Sequence, residues 1–147
     1  MIEYYFRKCN REDDTFIYRL KKQGFEWYLK DIIGWDENAQ KDIIEKELDE
    51  HIDDMNIIQC DGLDIGLFTY YNDVDNKENI FIDMIVLLPE YRGKGIGARL
   101  LEFLISNNEN KRIYLRTYKG NPARKLYRRY GFKAYKEEEH YVWKERC

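Results

Sequence analysis

The chain has 147 residues, 44% hydrophobic and 16% aromatic, with a formal net charge of −3. That length makes one domain, able to bury about 70% of its unfolded surface, and the apolar fraction is enough to build a core. No apolar run approaches the roughly eighteen residues of a membrane span, and Cys9, Cys60 and Cys147 lack the spacing of a disulfide framework or a zinc site.

The first residues open into a strand-like segment (2–7) carrying a charge, with no signal peptide, so a cytoplasmic chain with reduced thiols is expected. Asp13 or Asp14 can cap a helix whose apolar positions Phe16, Ile17 and Leu20 lead to Gly24. A second helical stretch runs from there to about Ile33, ended by Gly34. Residues 37–50 form a further helix, with Ile43, Ile44 and Leu48 on one side and acids on the other.

Strands follow at 56–60 and 63–71, flanking Asp61-Gly62, a dipeptide suited to a type I′ hairpin turn. Residues 80–88 are so continuously apolar that a central strand covered on both faces is expected. Then come a helix at 95–107, a strand at 112–117, a helix at 121–130, and a closing hairpin of 132–135 with 139–144. This order indicates one domain of α+β layout, a sheet sandwiched between helices.

Charge is unevenly spread. Residues 92–136 hold thirteen Lys or Arg against two acids, Glu102 and Glu109, a net of +11, which leaves −14 for the rest. Within the basic part, the strand at 80–88 stops at a turn spelling Arg92, Gly93, Lys94, Gly95, Ile96, Gly97, Ala98. Glycines there let the main chain approach closely and adopt angles a side chain forbids, and the opening amides of the new helix attract an anion such as a diphosphate. The glycines alternate, matching neither the P-loop nor the dinucleotide fingerprint.

What matches is Arg-x-x-Gly-x-Gly, followed by Asn121-Pro122-Ala123-Arg124-Lys125-Leu126-Tyr127-Arg128-Arg129-Tyr130-Gly131-Phe132. Over residues 80–136 the chain resembles the GNAT superfamily of acyl-CoA-dependent N-acyltransferases. The resemblance implies a three-layer α/β/α sandwich around a mixed, mostly antiparallel, splayed sheet. It also implies acetyl-CoA as cosubstrate, no metal, and direct transfer of acetyl to a primary amine in a ternary complex. Backbone groups of Val86, Leu87 and Leu88 would pair with the pantetheine arm as an added strand. Residues 92–98 would hold the diphosphate, Asn121 would meet the pantetheine region, and one of Arg124, Lys125 and Arg128 would meet the 3′-phosphate. Tyr127 would protonate the departing thiolate as general acid.

Other roles stand beside these. Asn121 suits a helix cap ahead of Pro122, and Leu126, Tyr127 and Tyr130 suit the apolar side of a helix. Where the family often places a glutamate base on the central strand, this chain has Met84, with Asp83 beside it facing the other way unless a bulge re-aims it. The base is therefore open between Asp83, a water relay to an acid of the first half, and His140. Acceptor recognition falls to the first half, where aromatics beside acids suit a cation. Trp35 is the stronger pocket candidate, Trp27 is expected mainly to pack, and Tyr70 is within reach of the groove.

The expected partner is a small-molecule or peptide amine, cationic, with no nucleic acid and no membrane, and the chain is a monomer or homodimer. An acyl-CoA-binding regulatory or sensor module without catalysis is the alternative; it would keep the glycine turn and could dispense with Tyr127.

Overall fold

A computed structural model describes residues 2–147, which gather into two compact units. Unit one holds the chain through Thr69 together with Met84–Lys94; unit two holds Tyr70–Asp83 and Gly95–Cys147. The elements are β1 (Tyr5–Lys8), α1 (Asp14–Lys21), α2 (Trp27–Leu29), α3 (Glu37–His51), β2 (Met55–Cys60), β3 (Leu63–Asn72), β4 (Asn79–Leu87), α4 (Ile96–Ser106), β5 (Arg112–Tyr118), α5 (Arg124–Arg129), β6 (Lys133–Glu137) and β7 (Tyr141–Arg146). The strands belong to one seven-stranded sheet of order β1-β2-β3-β4-β5-β7-β6, in which β4 and β5 are parallel. This is a mixed α+β fold. The registered pairs of β4 with β5 run from Asn79↔Arg112 to Ile82↔Leu115.

In unit one, Asp61 (φ 51°) and Gly62 (φ 77°) both take the left-handed region, as a type I′ turn demands, and join β2 to β3. The register then slips: Ile58 faces Gly66 while Gln59 faces Asp64, so Ile65 is an extra residue on β3. Gly66 is needed there, because a Cβ would lie 2.7 Å from both the Val86 carbonyl oxygen and Leu87 Cδ2. The core is mainly aliphatic: Ile17 and Leu20 from α1, Ile44 and Leu48 from α3, Met55, Ile57, Leu67 and Val86 from the strands, and Leu88 just past β4. Asp36 caps α3 by accepting from the Ala39 amide at 3.1 Å.

Charge is also used inside unit one. Arg7 reaches Asp13 at 2.7 Å and Asp64 at 2.8 Å, and Gln59 donates to Asp64 at 2.9 Å. The guanidinium holds both carboxyls below the usual carboxylate range. The expected break at Gly24 is absent, since the helix widens into a π-helical turn over Lys22–Glu26 and continues into α2. At 24 a Cβ would come to 3.0 Å from Val86 Cγ2, tighter than ordinary contact, so this glycine eases a close approach and does not terminate the helix.

Unit two is built on alternation. Ile113, Leu115 and Thr117 of β5 are buried, while Tyr114 and its same-face neighbours are half-exposed or exposed. On that open face the rings cluster: Tyr71 lies 5.7 Å from Phe81 between centroids, and Phe81, Tyr114 and Trp143 form a triangle with sides of 5.0, 6.4 and 6.3 Å. α4 buries Ile96, Leu100, Leu101 and Leu104. The expectation that β4 is covered on both faces needs correction. Phe81, Asp83, Met84 and Ile85 are half-buried, so β4 is apolar in sequence without being enclosed along its length.

Candidate functional site

The glycine turn is conformationally specified. Gly93 (φ 71°) and Gly95 (φ 84°) occupy the left-handed region, and Gly95 is the residue before α4 with no side-chain cap. The first amides of an eleven-residue helix are thereby left directed outward beside the exposed Lys94. Gly97 serves packing: a Cβ there would sit 3.3 Å from Leu126 Cδ2, so it lets α5 lie close against the first turn of α4. Ile96 anchors the turn in the core, and Ala98 is half-buried.

At the unit-one end of the turn, Arg92 folds back on its own strand. Its Nε and Nη2 donate to the Leu87 carbonyl at 3.1 and 3.0 Å, and burial lowers its pKa somewhat. A charged side chain that sequence reasoning aims at the ligand thus fixes the end of β4. The Leu88 amide donates to the Ile65 carbonyl at 2.8 Å, so strand alternation turns the Leu87 amide to the opposite edge of β4. Val86, Leu87 and Leu88 are all buried side chains, leaving backbone as what this stretch can offer a ligand.

In unit two, the Asn121 side chain accepts from the Ala123 amide at 2.8 Å and closes the turn before α5; it is not the helix cap weighed above, because the cap position falls on Ala123 and α5 begins at Arg124, three residues later than expected. Tyr127 is buried on α5, edge-on to Phe132 at 5.8 Å, and burial pushes its phenol up to about 12. Its hydroxyl stays protonated through the neutral range. Tyr130 differs: its hydroxyl donates to Glu102 at 2.5 Å, tying α5 to α4. Arg124 and Lys125 are exposed. Asp83 is half-buried in unit two, while Met84 packs on the aliphatic core of unit one.

The first-half aromatics separate. Trp35 lies 6.5 Å from the Tyr18 ring, whose surroundings already hold two of the chain's own ammonium groups, Lys22 at 5.9 Å and Lys41 at 5.5 Å. Trp27, expected mainly to pack, is 54% exposed, with its Nε1 donating to the Gly24 carbonyl. Tyr70 is half-buried, which raises its phenol pKa.

A family model for the acetyltransferase (GNAT) domain matches residues 53–134, more than half of the chain. This chain belongs to the GNAT acetyltransferase family. The matched range takes in both the glycine turn and α5. The spermine/spermidine N(1)-acetyltransferase of Bacillus subtilis (strain 168) is 35% identical over 72 residues, 46% of this chain and 47% of that protein. The probable spermine N(1)-acetyltransferase of B. subtilis subsp. natto (strain BEST195) matches equally, so the matched stretch spans about half the length of these curated relatives. The PaiA N-acetyltransferase of Thermoplasma acidophilum, solved in complex with coenzyme A, shares the fold with a TM-score of 0.75 at 18% identity, over 99% of each chain. PH1933 of Pyrococcus horikoshii OT3 does so with a TM-score of 0.74 over 98% of each.

Within the GNAT frame, sequence reasoning missed one group. Lys144 of β7 is half-buried with its ammonium 6.0 Å from the Tyr127 ring centroid. Only the strand register, pairing Lys144 with the buried Leu115, puts it on that side, and no local motif signals it.

Proposed function

We propose that this protein transfers an acetyl group from acetyl-CoA to a primary amine, with polyamines such as spermine and spermidine as the acceptor class. The observation that carries the reading is the Arg92 to Ala98 turn, whose two left-handed glycines open α4 toward an anion. The kinship with proteins named as spermine acetyltransferases supports the acceptor class, as does the −14 charge outside residues 92–136.

The chain's residues divide the chemistry. The amides opening α4, with Lys94, hold the diphosphate. Backbone groups of Val86, Leu87 and Leu88 align the pantetheine arm, and the Leu87 amide is the donor suited to the thioester oxygen as negative charge grows on it. The amine attacks as the free base, because an ammonium has no lone pair; its nitrogen bonds to the carbonyl carbon and the carbon–sulfur bond breaks. Tyr127 supplies a hydrogen bond or proton to the leaving sulfur. With a pKa near 12 it acts mainly as a donor that stabilises the thiolate and less as a strong acid. With methionine at 84, Asp83 or a water relay accepts the amine proton. Trp27 and Tyr70 are the aromatic surfaces proposed for the acceptor; Trp35 serves chiefly to hold the approach to α3.

The test is release of free coenzyme A thiol with spermine, spermidine and a lysine-containing peptide, beside binding of acetyl-CoA by calorimetry. Turnover with the polyamines, cut about 100-fold or more in Tyr127→Phe with acetyl-CoA affinity kept, is expected. Tight binding without turnover on any amine would favour a sensor module.

A further inference from the structure

Two cations of β7 reach α5. Arg146 donates from Nε to the Tyr130 carbonyl at 2.9 Å and so closes the end of that helix. Lys144, two residues earlier and on the same side of the strand, brings its ammonium to 6.0 Å from the Tyr127 ring centroid. Phe132 flanks the same ring edge-on at 5.8 Å, and Lys144 pairs in register with the buried Leu115. Arg146 thus has a carbonyl to bond and Arg112 has Glu145 at 2.6 Å, whereas among the described residues no carboxylate is bonded to Lys144. The charged groups that face it, Arg128 and Arg124 of α5, are cations too; burial first, and then these two, lower its pKa. A half-buried ammonium without a counter-charge opposes folding, and an apolar side chain of similar length would fill the place without that penalty.

The ammonium acquires a use once charge moves at Tyr127. At the pH where the resting phenol ionises, about 12, Lys144 with its lowered pKa has already given up its proton, so burial alone sets the resting phenol. In the neutral range Lys144 is charged. During transfer the amine nitrogen bonds to the carbonyl carbon, and the electron pair of the broken carbon–sulfur bond goes to sulfur. The hydrogen bond from Tyr127 spreads part of that charge onto the phenol oxygen. An ammonium beside the ring leaves the neutral thioester unaffected and favours the charged arrangement, with an attraction that partial burial keeps from full screening.

We propose that Lys144 is a positioning residue for acetyl transfer, acting through Tyr127 to favour negative charge on the departing sulfur. This rests on the acetyl-CoA reading above and extends it to a residue outside both sequence motifs.

Turnover by wild type, Lys144→Met and Lys144→Arg, each with and without Tyr127→Phe, tests this. Lys144→Met should lower kcat about tenfold, as for a partly screened unit charge near the ring, while KM for acetyl-CoA changes less than about twofold. Lys144→Arg should restore most of the rate. In the Tyr127→Phe background Lys144→Met should lower the rate less than about twofold, because the group through which Lys144 acts is gone. Equal losses in the two backgrounds, a loss confined to KM, or full activity of Lys144→Met overturns the proposal.

A readout without coenzyme separates this from the acetyl-CoA reading. Difluorotyrosine placed at 127 ionises at lower pH than tyrosine, while Lys144 still holds its proton, and fluorine NMR follows that phenol alone. Lys144→Met should raise its apparent pKa by about one unit. Wild type that turns over no amine defeats the acetyl-transfer reading instead, and the fluorine titration then decides the coupling of Lys144 to Tyr127: an unchanged pKa overturns it.

Discussion

Unit one and unit two solve the same problem, holding a stretch of sheet, with opposite means. Unit one packs aliphatic side chains from α1, α3 and the strands and seals its edge with Arg7 between two carboxylates. Unit two adds rings to its own aliphatic side chains: Tyr127 on Phe132, and the cluster of Tyr71, Phe81, Tyr114 and Trp143 with cations over its faces, as Arg112 over Tyr114 at 4.5 Å and Arg116 over Trp143 at 5.6 Å. An aliphatic core is sensitive to volume and to its few buried charges. An aromatic and cationic sheet tolerates water on one face and leaves positive charge to spend on ligands.

The contrast can be broken most sharply at Arg7. Arg7→Met leaves Asp13 and Asp64 part-buried without their cation and should cost about 3 kcal/mol, read as a lowered urea midpoint. The two ends of the pH scale should report on different units. Asp13 and Asp64 have lowered pKa values when folded, so the stability they lend unit one is present above the ordinary carboxylate range and lost as pH falls through their folded values. Tyr127 runs the other way: raised from 10.0 to about 12, it lends stability to unit two that is intact below pH 10 and lost as pH rises through 12. Over that alkaline window wild type should lose on the order of 2–3 kcal/mol more than Tyr127→Phe, and amide exchange should place the loss in α5.

Gly66→Ala sharpens the aliphatic side, forcing a methyl onto the Val86 carbonyl, and should cost about 2 kcal/mol by thermal unfolding. The smallest effect expected is Tyr130→Phe, which removes one exposed hydrogen bond to Glu102 and should cost no more than about 1 kcal/mol.

Legibility in the sequence followed locality. Asp61-Gly62 and the glycine turn were readable because each needs a residue type for a backbone angle or an orphan amide, and that need is satisfied within a few residues. The layered layout and the mixed, mostly antiparallel sheet came with the family resemblance, whose motifs lie in residues 80–136, while the strand order is set by pairings no local motif signals. What local sequence does not show depends on approach in space. Gly24 looks like a helix stop and is a contact with Val86. Arg92, expected at the phosphate, also donates to the Leu87 carbonyl. Trp35, expected at a cation pocket, has a neighbouring ring attended by lysines from α3 and the turn after α1. Lys144 is one cation among 25 basic residues until the pairing of β7 with β5 sets it beside Tyr127.

The two bonds from Arg92 to the Leu87 carbonyl bear on kinetics as well as on shape. A strand end pinned by a fork of donors enters the encounter with its loop entropy already spent, so binding has little ordering left to do there. Capture of the diphosphate should then proceed at a rate governed by charge steering, strongly slowed by salt, and loosening the fork should convert it into a slower, salt-tolerant process limited by the folding of the turn.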